Sequence, residues 1–263
     1  MALIIPLCSS SSGNSVFIGS RSAGVLIDAG CSFKKLRLLL NSCEIGIGAV
    51  KAVLVTHEHT DHAKGLFQLT KHTDIPVYAS KGTLRSLITD NQVAPCADLH
   101  ELAELQNVPA DFEIKAFSTP HDSADSAGFT FEQADCKIAY CTDLGTVSSE
   151  VRLNMLGSDF VFLESNYEPK LLRRNPNYPI FLKKRITSDT GHLSNSDCAD
   201  FLAELAGYGA TRFILGHLSR QNNTPEIAFE SALMRLNACG AVYNKDYTLE
   251  IASVETEGRV IAV

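Results

Sequence analysis

At 263 residues, with 45% hydrophobic and 20% charged residues, the chain has the composition of a globular protein and can bury a substantial core. No apolar run approaches the roughly 20 residues needed to cross a bilayer, and a net charge of −7 argues against a general polyanion-binding surface. The opening Met1-Ala2-Leu3-Ile4-Ile5-Pro6 has no basic start and runs at once into Ser and Gly, so it reads as a strand rather than a signal peptide, and a cytoplasmic location is expected. Cys8, Cys31, Cys43, Cys96, Cys136, Cys141, Cys198 and Cys239 form no C-x-x-C pair, which excludes a zinc ribbon and leaves free thiols as the expectation.

In chain order, strands are expected at Leu3–Leu7, Ser15–Ile18 and Val25–Asp28, then a helix over Phe33–Asn41, a strand at Ala52–Thr56 and a helix over Asp61–Lys71. A strand at Val77–Ala79 and a helix over Lys81–Thr89 lead to strands at Phe112–Phe117, Ala127–Glu132 and Lys137–Cys141. The remainder repeats the mixture. It has helix Ser148–Leu156, strand Phe160–Glu164, helices Asn166–Arg174 and Ser194–Leu205, strand Arg212–Gly216, helix Pro225–Leu236, and strands Thr248–Ile251 and Val260–Val263. Ser194 and Thr224 stand where helix caps belong, the latter followed by Pro225. Two sheets packed face to face with helices outside would bury this many strands, so an α+β class and a single domain over 1–263 are expected.

The chemistry concentrates in His57-Glu58-His59-Thr60-Asp61-His62, which follows the strand at Ala52–Thr56 directly. His57 and His59 alternate on an extended segment and share a side, while Asp61 and His62 open a helix whose first turn aims them at a neighbouring point. That arrangement suits two adjacent metals. Further donors break apolar strand ends: His121 after Phe117-Ser118-Thr119-Pro120, Asp143 after Cys141-Thr142, and His217 after Leu215-Gly216. Imidazole and carboxylate donors suit zinc, manganese or iron, so Cys141 reads as a core thiol rather than a ligand.

With these residues in place the chain resembles the metallo-β-lactamase superfamily, whose H-x-H-x-D-H, His, Asp and His motifs are matched in order. The resemblance implies a four-layer αββα sandwich. It also implies that His57, His59 and His121 hold one metal, Asp61, His62 and His217 the other, and that Asp143 bridges them. Such a pair stabilises attacking and leaving oxygens in hydrolysis of phosphodiesters, lactams, lactones or thioesters. The stretch after Asp143 is similar to tRNA 3′-processing phosphodiesterases, where an acidic residue after a strand and a His-bearing loop take the places of Glu164 and His192. With Asp61 these are the expected catalytic residues, His192 assisting the leaving oxygen and Glu164 orienting it.

The overall similarity is to the WalJ-type branch, carried by Leu7–Ser15, the Ser-Asn-Tyr-Glu turn at 165–168 and Arg185–Asn195. Members of that branch are regarded as DNA exonucleases acting from 5′ ends. DNA ends are therefore the expected partner, with no membrane contact. Ser10, Ser11, Ser12 and Asn14 would form a small-residue loop able to hold a terminal phosphate. Lys183, Lys184 and Arg185 would guide the backbone, because Lys170–Arg185 carries six basic residues and no acid. The bland readings are a plain Ser/Gly hairpin turn and a solvated basic loop. Small cyclic or linear phosphodiesters and RNA are alternative substrates. A metal-bound regulatory module or an acyl hydrolase fits less well, since nothing suggests an apolar acyl pocket. His72 and His100 have no such context and read as surface residues.

Overall fold

The computed structural model describes residues 3–134, 136–256 and 258–262, so Met1, Ala2 and Val263 of the expected terminal strands lie outside it. The chain forms two compact units. The first runs up to Lys115 and adds Ser123–Ala127 and the segment from Ser253, while the second comprises Ala116–Asp122 and Gly128–Ala252.

The first unit is built on β1 (Leu3–Ser10), β2 (Gly13–Gly19), β3 (Gly24–Ile27), β4 (Val50–Leu54), β5 (Val77–Ala79) and β6 (Leu99–Glu101). The short C-terminal strand Ile261–Ala262 joins β1 antiparallel, and the sheet is antiparallel through β3 and parallel from β3 to β6. Helices α1 (Phe33–Ser42), α2 (Thr60–Ala63), α3 (Leu66–His72) and α4 (Lys81–Thr89) follow the parallel strands or their loops. The apolar stripe of α1 (Leu36, Leu39, Leu40) and Leu66 and Leu69 of α3 join a cluster with Ile5, Phe17, Leu26 and Val53. Each such side chain contributes roughly 1.5–3 kcal/mol when removed from water.

A second sheet consists of β7 (Glu113–Ser118), β8 (Ala127–Gln133), β9 (Cys136–Cys141), β10 (Phe160–Glu164), β11 (Arg212–Gly216) and β12 (Thr248–Ile251), ordered β12-β11-β10-β9-β8-β7, with β9 to β12 wholly in the second unit. The strands from β9 to β12 are parallel. Helices α5 (Ser149–Met155), α6 (Pro169–Arg174), α7 (Ile180–Ile186), α8 (Asn195–Gly207) and α9 (Pro225–Ala238) complete that unit. Val151, Met155, Leu202, Leu205 and Leu236 pack with Val161, Leu163, Phe213 and Leu215. The expected caps are present: Ser194 Oγ accepts from the Asp197 amide and Thr224 Oγ1 from the Ile227 amide.

Four expectations need correction. The helix expected over Asp61–Lys71 is two helices, because Gly65 turns its N–H to Ala29 O at 2.7 Å. No larger residue fits there, since a Cβ would lie 2.2 Å from Cys31 O. The helix expected from Asn166 starts at Pro169, since the Asn166 amide bonds Leu193 O and its side chain bonds His217 O. The α7 helix and the short polar edge strand β6 were not expected, neither showing a periodic apolar pattern with its own flanking signals.

A second close approach sets the root of the β1–β2 hairpin. Gly30 N–H donates to Asn14 O at 2.8 Å, and a Cβ on Gly30 would lie 1.7 Å from Asp61 O and 2.5 Å from Asn14 N. Gly30→Ala therefore forces these backbones apart and is expected to lower unfolding free energy by about 1–3 kcal/mol in a urea titration. An unchanged midpoint would mean that the backbone at Asp61 yields without cost.

Candidate metal centre

Parallel strands end at one edge of their sheet, and residues just past those ends can converge without disturbing the ladder. In the first unit the chain beyond β4 keeps pairing through Val55, whose N–H bonds Tyr78 O, then bends at Thr56 into His57. His57 and His62 are wholly buried, and His59 sits at the N-cap of α2. His57 Nε2 and His59 Nδ1 lie 3.0 Å apart, and the His57 and His62 ring centroids 4.2 Å apart. Two ring nitrogens at that distance share one proton or share a cation.

Asp28, which the sequence reading left without a role, settles the choice for two rings. It lies just past β3, fully buried, in the left-handed region at φ 62°. Its carboxylate accepts from the Thr56 amide at 2.8 Å, from Thr56 Oγ1 at 2.9 Å and from His62 Nδ1 at 2.7 Å. With its proton so used, Thr56 Oγ1 accepts from His57 Nδ1 at 3.0 Å. Both rings thus present Nε2 lone pairs, the tautomer a metal needs. Burial pushes the Asp28 carboxyl up, against the pull of His62 and Thr56. The only sequence signal for Asp28 is a carboxylate ending an apolar strand.

Of the loop residues, Asn14 is brought against these donors. Its Nδ2 lies 3.1 Å from His62 Nε2 and 3.3 Å from Asp61 Oδ2, while its side chain also fastens the hairpin through both Ser10 backbone groups. Ser10 is buried and its Oγ accepts from the Ser12 amide, whereas Ser11 and Ser12 form an exposed tip.

The second unit gathers His121, Asp143, Glu164, His192 and His217. Asp143, Glu164, His192 and His217 each bring a donor atom within 4.8 Å of the others. The His192 ring centroid lies 5.2 Å from that of His121 and 5.4 Å from that of His217. His121 Nδ1–H donates to Gly191 O at 3.0 Å, which directs Nε2 toward Asp143. Asp143 Oδ2 is 2.8 Å from His217 Nδ1. Burial alone would lower the His217 pKa, but Asp143 and Glu164 raise it overall. Glu164, wholly buried, accepts from the Leu144 and Leu193 amides at 3.2 Å each and from His192 Nδ1 at 2.7 Å. His192 keeps its side chain 21% exposed. Cys141 is a core thiol, its pKa pushed well up by burial. The described cysteines are free thiols, as expected.

The basic strip is partly engaged. Lys183 Nζ donates to Arg173 O, and Arg185 holds both oxygens of Asp122, the residue after His121. Lys184 is exposed, and Ile180 and Phe181 at the start of α7 are each 74% exposed.

The donor set in each unit is imidazole and carboxylate with tautomers fixed from behind, which fits a divalent cation. Residues 24–218 match the model of a beta-lactamase superfamily domain. The chain is 34% identical over 224 residues to exodeoxyribonuclease YycJ of Bacillus anthracis, with 84% of each chain covered. It is 30% identical over 254 residues to exodeoxyribonuclease WalJ of Streptococcus pneumoniae, covering 95% of this chain and 94% of that one. Among solved structures, zinc-bound PqqB of Methylobacterium extorquens shares the fold over the whole of both chains, with a TM-score of 0.73 at 16% identity.

Asp28→Asn keeps the size of the side chain but loses the charge facing His62. It is expected to weaken divalent-metal affinity about 10–100-fold while leaving the far-ultraviolet spectrum unchanged, as read by competition with a chromogenic chelator. Unchanged affinity would reduce Asp28 to packing.

Proposed function

The chain belongs to the metallo-β-lactamase superfamily, and from that membership we propose that it is a metal-dependent phosphodiester hydrolase that shortens DNA from its ends, beginning at the 5′ end. The two units act as one domain. His57, His59 and His121 would hold one ion and Asp61, His62 and His217 the other, with Asp143 able to serve both. Zinc and manganese suit these donors, and iron is compatible. When bound, such ions polarise the phosphoryl group and stabilise the attacking and leaving oxygens.

The observation that carries the reading is the pairing of His192 with buried Glu164. Glu164 accepts from two amides and from His192 Nδ1–H, so the ring is held by Nδ1 and its Nε2 is left to carry the catalytic proton. Nδ1–H stays on Glu164, so the proton that moves is the one on Nε2, delivered to the leaving oxygen. General acid catalysis of this kind supplies roughly 10²–10⁴-fold. Asp61, with a side chain 26% exposed, accepts the proton of the attacking water.

Both exodeoxyribonuclease relatives support a DNA substrate, which Lys183, Lys184 and Arg185 would guide and the Ser10–Asn14 hairpin would meet at its terminal phosphate. A small phosphodiester is the second reading. The engagement of Lys183 by Arg173 O and of Arg185 by Asp122 favours it, because both cations are already in use. Among the described residues no helix is long and apolar enough to cross a membrane, and the proposed setting is the cytoplasm.

Incubating 5′-phosphorylated and unphosphorylated DNA with Mn²⁺ or Zn²⁺, beside bis-nitrophenyl phosphate, separates the two readings. Cleavage of the small diester with DNA untouched would sink the nuclease. His192→Ala is expected to retain its metal and lose about 10²-fold or more on DNA, with little loss on the activated diester, whose leaving group needs no proton. Loss of metal would make His192 a ligand. Replacing Lys183 and Lys184 by Glu should weaken DNA binding at low salt and spare small-diester turnover, and equal effects on both would exclude a polymer track.

A further inference from the structure

A second acid-free run of cations lies on α1. Lys34, Lys35 and Arg37 fall within a segment, Ser32 to Cys43, that contains no Asp or Glu. Lys35 is bound to Glu255, but among the described residues neither Lys34 nor Arg37 has a carboxylate partner. Both line a groove of about 750 Å³ in the first unit, together with Phe33, Asn41, Gln68 and His72, and none of its described lining residues is acidic. In a chain of net charge −7 this is a local reversal of sign.

The groove also carries two parallel aromatic rings. The Phe33 and His72 rings lie parallel within 7°, centroids 6.4 Å apart, and His72 Nε2–H donates to Gln68 Oε1 at 3.2 Å, which holds its ring in place. The Arg37 guanidinium stands 5.9 Å from the Phe33 centroid. Leu38, 60% exposed, extends the apolar surface. Cations at the rim, aromatic faces within and amide side chains between them match a ligand with anionic, planar and hydrogen-bonding parts.

We propose that this groove binds a single strand of nucleic acid, stacking bases on Phe33 and His72 and holding phosphates on Lys34 and Arg37. Charge complementarity selects that occupant, since an apolar peptide would leave two cations unanswered. The inference rests on the nuclease reading above for its biological sense, and it identifies a strand-binding site whose lining residues are none of those that would hold metal. Sequence-tolerant stacking suits an enzyme that must accept any base.

The test is fluorescence anisotropy of a short labelled oligothymidylate with the full-length protein at low salt. It compares the natural chain with Phe33→Ala and with Lys34→Ala/Arg37→Ala, with thermal midpoints and bis-nitrophenyl phosphate turnover measured alongside. Phe33→Ala is expected to weaken binding about tenfold. The double variant is expected to flatten the plot of log affinity against log salt by about 1.4, two phosphates at about 0.7 each. Small-diester turnover should not change in either. Binding equal to that of the natural chain in both variants, or no oligonucleotide binding at all, overturns the groove. DNA cleavage with unaltered binding by the variants removes the groove and keeps the nuclease. Groove-dependent binding without DNA cleavage does the reverse.

Discussion

A carboxylate cut off from water keeps its charge only where the protein supplies donors, and Asp28, Asp143 and Glu164 are each no more than 2% exposed. Removing such an ion from water costs several kcal/mol unless hydrogen bonds replace hydration. Asp28 draws its donors from Thr56 and His62, and so ties the end of β3 to the end of β4 and to α2. Glu164 draws its own from Leu144, Leu193 and His192, and ties the end of β10 to the loops after β9 and before α8. In both units the imidazole orientation that chemistry requires is also the one that keeps a buried charge solvated by protein.

The same strand ends use a conformation that most side chains avoid. Asp28, Asp143 and His217 have φ of 62°, 58° and 53°. Left-handed backbone costs of order 1–3 kcal/mol, least for residues such as Asp, Asn and His. The reward is directional. A residue continuing the strand would point to one face of the sheet, whereas a left-handed residue turns the chain sharply and presents its side chain past the strand end. At His217 the turn is secured from behind, where Asn166 Nδ2–H donates to its carbonyl.

What the sequence made legible follows from how local each signal is. His57, His59, Asp61 and His62 lie within six positions, and His121, Asp143 and His217 each follow a strand read within a residue or two of its end. Glu164 and His192 were found by resemblance, and the structure sets His192 Nδ1 2.7 Å from Glu164 Oε1, a contact between residues 28 apart. Asp28 was missed because one carboxylate after an apolar run is common, and its role depends on Thr56 and His62 across 28 and 34 residues. The break at Gly65 was hidden for the same reason, being imposed by Ala29 and Cys31. The basic strip was visible, but its engagement by Asp122 and the Arg173 carbonyl was not. His72 read as an isolated surface residue because its ring partner Phe33 is contributed by another helix.

The β1–β2 hairpin divides along its length. Its root is tightly packed, with Gly30 against Asn14 and Asp61, while Ser11 and Ser12 at its tip stand in solvent. Closing a somewhat longer loop costs only a few tenths of a kcal/mol in chain entropy. Descendants of this sequence can therefore lengthen or recompose the tip while Asn14 keeps its grip on Ser10, so that the exposed end of the hairpin is free to diverge while the arrangement around His62 stays as it is.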